Sequence, residues 1–283
     1  MTRLDLGPTG IAVNITADGR HLEDARVLEQ LGYRTLWLPG GQLDRLGHVA
    51  DLLGVTTAAR VATGIVSPDV YGPDEVARQY ADLESAAPGR FVVGLGGSQR
   101  RPLLRDLHAY LDGLDRASVP VPAERRILAA LGPRKLEIAR DRCAGAITLL
   151  VTPDHTSVAR SILGADATLV VDEFVVVDTN AARARRLARG PLGFLATIAG
   201  YRSNFARMGF TDDDIGGLSD RLVDELVAWG DVDAIVERVD AHRAAGADHV
   251  VLSVLNDEDQ SGRLQVARRL AHQLNAAIDD ANQ

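Results

Sequence analysis

The feature that most restricts the fold is a regular alternation of short β-branched runs with stretches of helical periodicity, and no tight hairpin joins any two of the runs. The runs fall at residues 10–14 (GIAVN), 34–38 (RTLWL), 60–65 (RVATGI), 90–95 (RFVVGL), 126–131 (RILAAL), 146–151, 173–178 and 249–254. Between them, apolar residues recur at helical spacing, as with Leu22, Ala25, Leu28 and Leu31, while Glu23, Arg26 and Gln30 occupy the opposite face. One helix is fully punctuated: Pro73 opens it, Asp74 and Glu75 occupy its first turn, and Pro88-Gly89 stops it. Strands separated by helices must pair in parallel through crossover connections. Eight of them predict an α/β fold, a (β/α)8 TIM barrel spanning residues 1–283 as one domain. A doubly wound open sheet is the rival, but no GxGxxG follows Asn14. The interval 189–230 is too long for an ordinary crossover. It reads as an insertion between strands 7 and 8, with two helices and a possible role, over residues 190–230, as an active-site cover.

Charge narrows the partners. The chain of 283 residues carries a formal net charge of -8, which argues against a nucleic-acid surface, since that requires clustered cations to displace phosphate counterions. No segment approaches the roughly 18 uncharged apolar residues of a membrane span. Cys143 is the single cysteine, so internal disulfides and cysteine-rich metal sites are excluded, and a reducing cytoplasm is the expected location. No histidine pair has HxxxH or HxH spacing, so no metal site is expected.

In such barrels the chemistry sits at the C-terminal ends of the strands. By that rule His249, which begins its strand, is structural, and His21, His108, His242 and His272 read as exposed positions on helices. Two glycine clusters lie at the correct end: Gly94-Leu95-Gly96-Gly97-Ser98-Gln99 and Gly132-Pro133-Arg134-Lys135. The second starts a helix, and its backbone amides, dipole and cations make a phosphate site. Lys135 is the only lysine in the chain.

Taken in order, LGYRTLWLP (31–39), RVATGI (60–65), PGRFVVGLGGS (88–98), LAALGPRKLEIA (128–139), YRSNFARMGF (201–210), LSDRLVDELVAWGD (218–231) and AAGADHVVL (244–252) resemble the luciferase-like monooxygenase superfamily, specifically its branch dependent on coenzyme F420. The resemblance implies the same barrel, often dimeric, and a site. A non-proline cis peptide would occur at Gly64-Ile65 and back the cofactor's tricyclic ring. Gly96, Gly97 and Ser98 would approach the cofactor, and Ala130, Leu131, Gly132 and Pro133, with Arg134, would line its ribityl and phosphate portion.

The departures concern acid and base. Where relatives often carry acidic or histidine residues after the second strand, this chain has Pro39-Gly40-Gly41-Gln42, and Gln99 stands where others have Glu or His. An amide cannot exchange a proton near neutral pH. Gln99 would therefore hydrogen-bond a substrate carbonyl, leaving the proton to water, Tyr71 or Tyr201. The expected activity is hydride transfer between F420 and a small organic substrate. The alternatives are an FMN-dependent monooxygenase and a non-catalytic deazaflavin-binding protein.

Overall fold

The computed structural model describes residues 3–96, 103–257 and 260–281. Its strands are β1 (Thr9–Ala12), β2 (Thr35–Pro39), β3 (Arg60–Gly64), β4 (Phe91–Leu95), β5 (Arg126–Ala129), β6 (Gly145–Leu149), β7 (Thr168–Val177), β8 (Ala228–Gly230) and β9 (His249–Val254). Every pairing is parallel, and the run from β1 to β7 closes on itself through β6–β7, β7–β9 and β9–β1. Among the described residues β8 lies outside this ring, paired only with β7. The expected eight-stranded barrel is therefore present, made of β1–β7 and β9.

Helices α1 (Arg20–Gln30), α2 (Gly47–Val55), α3 (Pro73–Ala86), α4 (Leu103–Arg116), α5 (Pro133–Arg142) and α6 (Pro153–Leu163) occupy the crossovers. The outward faces of the strands, including Leu36, Leu38, Val61, Val93 and Leu252, pack with these helices into one large core. The inward faces, Trp37, Ala62, Val92, Ile127, Ile147, Val170 and Val251, fill the barrel. At its N-terminal end His249 donates from Nδ1 to the Gly7 carbonyl at 2.6 Å, and its Nε2 accepts from Trp37 Nε1 at 3.0 Å. Burial holds that imidazole neutral, down at about 4. The structural reading of His249 stands, and the ring fills the space a Cβ on Gly10 would need.

The seventh strand differs from the expectation. It begins at Thr168 rather than residue 173 and is ten residues long. Its first half pairs with β6 and closes the barrel, and its end runs past the barrel rim to pair with β8. TLVVDEFVVV is apolar on both sides of its acidic pair, so nothing in its pattern marks where a strand buried on both faces begins.

The interval before β9 also holds more than two helices. It contains α7 (Ala181–Ala196), α8 (Ala199–Arg207), α9 (Asp212–Gly217) and α10 (Asp220–Leu226), then β8 and α11 (Val232–Ala244), and α12 (Gln260–Ala281) follows β9. The short α9 escapes periodicity but has a capping box, Thr211 bonding Asp214 N while the Asp214 carboxylate accepts from Thr211 N. Leu192, Phe205, Phe210, Ile215, Leu222 and Leu226 form a second apolar core, joined to the barrel through Val176 and Leu150. Among the described residues no helix is long and apolar enough to cross a membrane.

Candidate active site

The third strand builds the first wall. β3 and β4 pair at Val61–Phe91 and Ala62–Val92, then the ladder breaks. The Thr63 hydroxyl takes over, donating to the Gly94 carbonyl and accepting from the Gly94 amide, both at 2.9 Å. Pairing resumes only at Val66, whose amide donates to Gly94 O and whose carbonyl accepts from Gly96 N. Gly64, still paired with Pro39 of β2, and Ile65 are thereby left out of the β3–β4 ladder, and the bond between them is cis, as the resemblance implied. Their neighbours must be small. A Cβ on Gly40 would lie 2.4 Å from the Ile65 carbonyl oxygen, and one on Gly96 would lie 2.2 Å from Ile65 Cδ1. The absence of a side chain after β2 is thus a packing requirement at Gly40. Gln42 is also spent on structure, accepting from Ile15 N and donating to Asn14 Oδ1, each at 2.7 Å.

A second wall follows β5. Ala130 N donates to the Ile147 carbonyl, and Leu131 O accepts a hydrogen bond from His155 Nε2 at 3.0 Å, so this imidazole carries its proton there. Burial lowers the pKa of His155. Gly132 then opens α5 with Pro133 in its first turn, and no side chain caps that helix start. Arg134 is exposed and Lys135 half-buried, and burial pushes the lysine ammonium down from its ordinary value. Sequence inspection missed a third cation, Arg207 of α8, whose guanidinium lies 3.5 Å from where a Cβ on Gly132 would stand. Arg207 is held by Asn204 Oδ1, and among the described residues none of the three cations pairs with a carboxylate. Only the fold of the insertion brings α8 to this loop.

The third wall holds an acid that the sequence reading did not find. Asp172 shares the inward face of β7 with Val170 and stands in register with Leu149, the last residue of β6, which places it at the barrel rim. Ser253 Oγ donates to its Oδ1 at 2.7 Å. Burial pushes the carboxyl up to about 7, opposed by the Ser253 bond and aided by Glu173. Burial, and secondarily the charge of Asp172, hold the Tyr201 phenol of α8 above its usual range. The positions at and after the end of β2 are neutral as read, Pro39-Gly40-Gly41-Gln42, and this acid comes instead from within β7. With the strand start read at residue 173, Asp172 fell into the preceding loop. Glu173 faces outward, accepting from Ala228 N at 2.9 Å and lying 3.2 Å from His242 Nε2. His242 is fully buried there, and His21 is also buried, contrary to the exposure expected for both.

Of the other candidates, Tyr71 is removed as a proton source, because its hydroxyl donates to the Leu43 carbonyl inside the core. Gly97, Ser98 and Gln99 lie outside the described residues. Gly64, Ile65 and Gly96 form one wall, while Ala130, Leu131, Gly132, Pro133 and Arg134 belong to the other, and Tyr201 of α8 packs against the second apolar core beside Phe205.

Residues 8–110 match the family model for luciferase-like monooxygenases. No curated protein sequence matches the chain. Among solved structures, an F420-dependent secondary alcohol dehydrogenase in complex with an F420-acetone adduct superposes with a TM-score of 0.75 at 14% identity, covering 97% of this chain and 99% of that one. The coenzyme F420 dependent tetrahydromethanopterin reductase from Methanopyrus kandleri gives 0.68 at 14%, over 93% and 98%. The oxygenating constituent of 3,6-diketocamphane monooxygenase from Pseudomonas putida, in complex with FMN, gives 0.62 at 14%, over 93% and 96%. These structures share the barrel fold of this chain.

Proposed function

From a barrel whose residues 8–110 are luciferase-like, we propose that the protein is an oxidoreductase transferring a hydride between the deazaflavin coenzyme F420 and a small organic substrate. The observation that carries this reading is the cluster of Arg134, Lys135 and Arg207 at the start of α5, without carboxylate partners among the described residues, in a chain of net charge -8. Such a cluster, added to uncapped amides at a helix start, suits a phosphate. The bound deazaflavin would supply two-electron hydride exchange.

The chain's residues hold and shield that group. Gly64, Ile65 and Gly96 would back the ring, Ala130, Leu131, Gly132 and Pro133 would line the ribityl chain, and the three cations would meet the phosphate. Gly97, Ser98 and Gln99 belong to the same proposal, Gln99 as a hydrogen-bond donor to the substrate. Residues 190–230 would exclude water from the transfer. The same reading makes the protein cytoplasmic and homodimeric, the latter checked by mass in solution.

Fluorescence titration of the purified protein with F420 and with FMN tests the reading. Saturable micromolar binding of F420 alone is expected, and Lys135→Ala and Arg207→Ala should each weaken it about tenfold, the loss of one charge-assisted contact. Binding of FMN alone would favour a flavin monooxygenase, and binding of neither would remove both. Affinity unchanged in both variants would displace the phosphate from this loop.

A further inference from the structure

We infer that Asp172 is the proton-exchanging group of this site, paired with the substrate oxygen across the barrel mouth from the Gly64-Ile65 bulge, and that the substrate is accordingly an alcohol or its carbonyl counterpart. This rests on the hydride-transfer reading above. The first support is topological. In the ring of β1–β7 and β9, three strands separate β3 from β7 in either direction, so the bulge and Asp172 face each other. A ligand lying on the bulge would present its far side to Asp172.

The second support is the company the carboxyl keeps. β6 presents Leu149 at its level and β9 presents Val251 and Ser253, while Glu173 turns away to the outer face; among titratable groups, Tyr201 of α8 feels the charge of Asp172. Among the described residues, no cation pairs with Asp172, and the Ser253 bond it accepts comes from a neutral hydroxyl. A structural carboxylate in a barrel is normally neutralised by Arg or Lys. This one is left able to change charge near neutral pH, as a general acid or base requires. Tyr71 and Gln42 are committed to backbone and amide partners and do not compete for the role.

The step balances. As an alcohol is oxidised, the substrate O–H bond breaks and its proton goes to the Asp172 carboxylate. The carbinol C–H bond breaks with its electron pair leaving as hydride to the deazaflavin, and the C=O bond forms. The substrate loses two electrons and the deazaflavin gains two. In reverse, protonated Asp172 returns its proton to the carbonyl oxygen. Ser253 is a positioning residue, holding one carboxyl oxygen so that the other points to the ligand.

Carbon-13 NMR on protein labelled at the aspartate carboxyl reads the group without cofactor or substrate. One resonance should titrate near neutral pH, vanish in Asp172→Asn, and titrate higher still in Ser253→Ala, which loses the donor to the charged form. With F420 and a series of secondary alcohols and ketones, Asp172→Asn should cut kcat by at least about 100-fold and erase the neutral inflection of its pH profile, with F420 affinity within twofold of wild type. A carboxyl titrating in the ordinary range, or a variant that keeps turnover and profile, overturns the assignment. Failure of the wild type to bind F420 or FMN overturns the hydride reading and this role together, and is distinguished by that binding measurement.

Discussion

Gly40 shows how a single position can be read for chemistry when packing decides it. Its Cβ would meet the backbone oxygen and nitrogen of Ile65 at 2.4 and 2.6 Å, and backbone cannot swing aside as a side chain can. Gly40→Ala should therefore cost about 1 to 3 kcal/mol, read as a lower urea midpoint, and an unchanged midpoint would mean that the bulge yields easily. Gly96 is more forgiving, since its nearest atom is the end of the Ile65 side chain. The glycines of both clusters were visible in the sequence, but the partner that requires them was not. Asp172 is the converse: its identity is plain, while its meaning depends on which face of β7 it occupies. One residue of slip would have sent it outward and Glu173 inward.

At the scale of elements, β3 carries the site because its hydrogen bonds are handed from backbone to side chain. Thr63 satisfies both the amide and the carbonyl of Gly94 where the ladder lapses. Thr63→Val keeps the shape and removes both bonds, leaving the buried Gly94 amide without a partner while the Gly94 carbonyl keeps its bond from Val66 N. A loss of about 1 to 3 kcal/mol in chemical unfolding is expected, together with weaker cofactor binding. Stability equal to wild type would mean that water replaces the hydroxyl. α5 was foreseen from Gly132-Pro133, a local signal of glycine, proline and dipole. Arg207 was not, because its place beside that loop depends on α8 folding back through the second apolar core, and no local pattern encodes that approach.

For the whole molecule, two buried groups set opposing pH dependences. His249 has its folded value at about 4, below the ordinary 6.5, so the stability it leaves intact above 6.5 is lost as pH falls toward 4. Asp172 stands at about 7, above 3.8, so its contribution is full below 3.8 and is lost as pH rises through 7. Across roughly pH 4 to 6.5 the two slopes offset, each at most about 1.4 kcal/mol per pH unit. Asp172→Asn should therefore gain stability with rising pH in this window, and His249→Gln should lose it. Urea midpoints at the two ends of the window check this, and parallel profiles for the two variants would contradict it.

The sequence by itself determined the alternation of the eight barrel strands with helices, the barrel they close into, the glycine-lined ends where a ligand would lie, and the structural role of His249. These follow from periodicity, caps and turn residues, which act over a few neighbouring positions. Tertiary structure alone decided that β7 begins five residues earlier and extends past the rim, that Asp172 faces the mouth with Ser253, and that Arg207 joins Arg134 and Lys135. The reason is that an apolar strand buried on both faces has no alternation to fix its inward side. Only its register against β6 and β9, and the folding of the insertion over it, can do so.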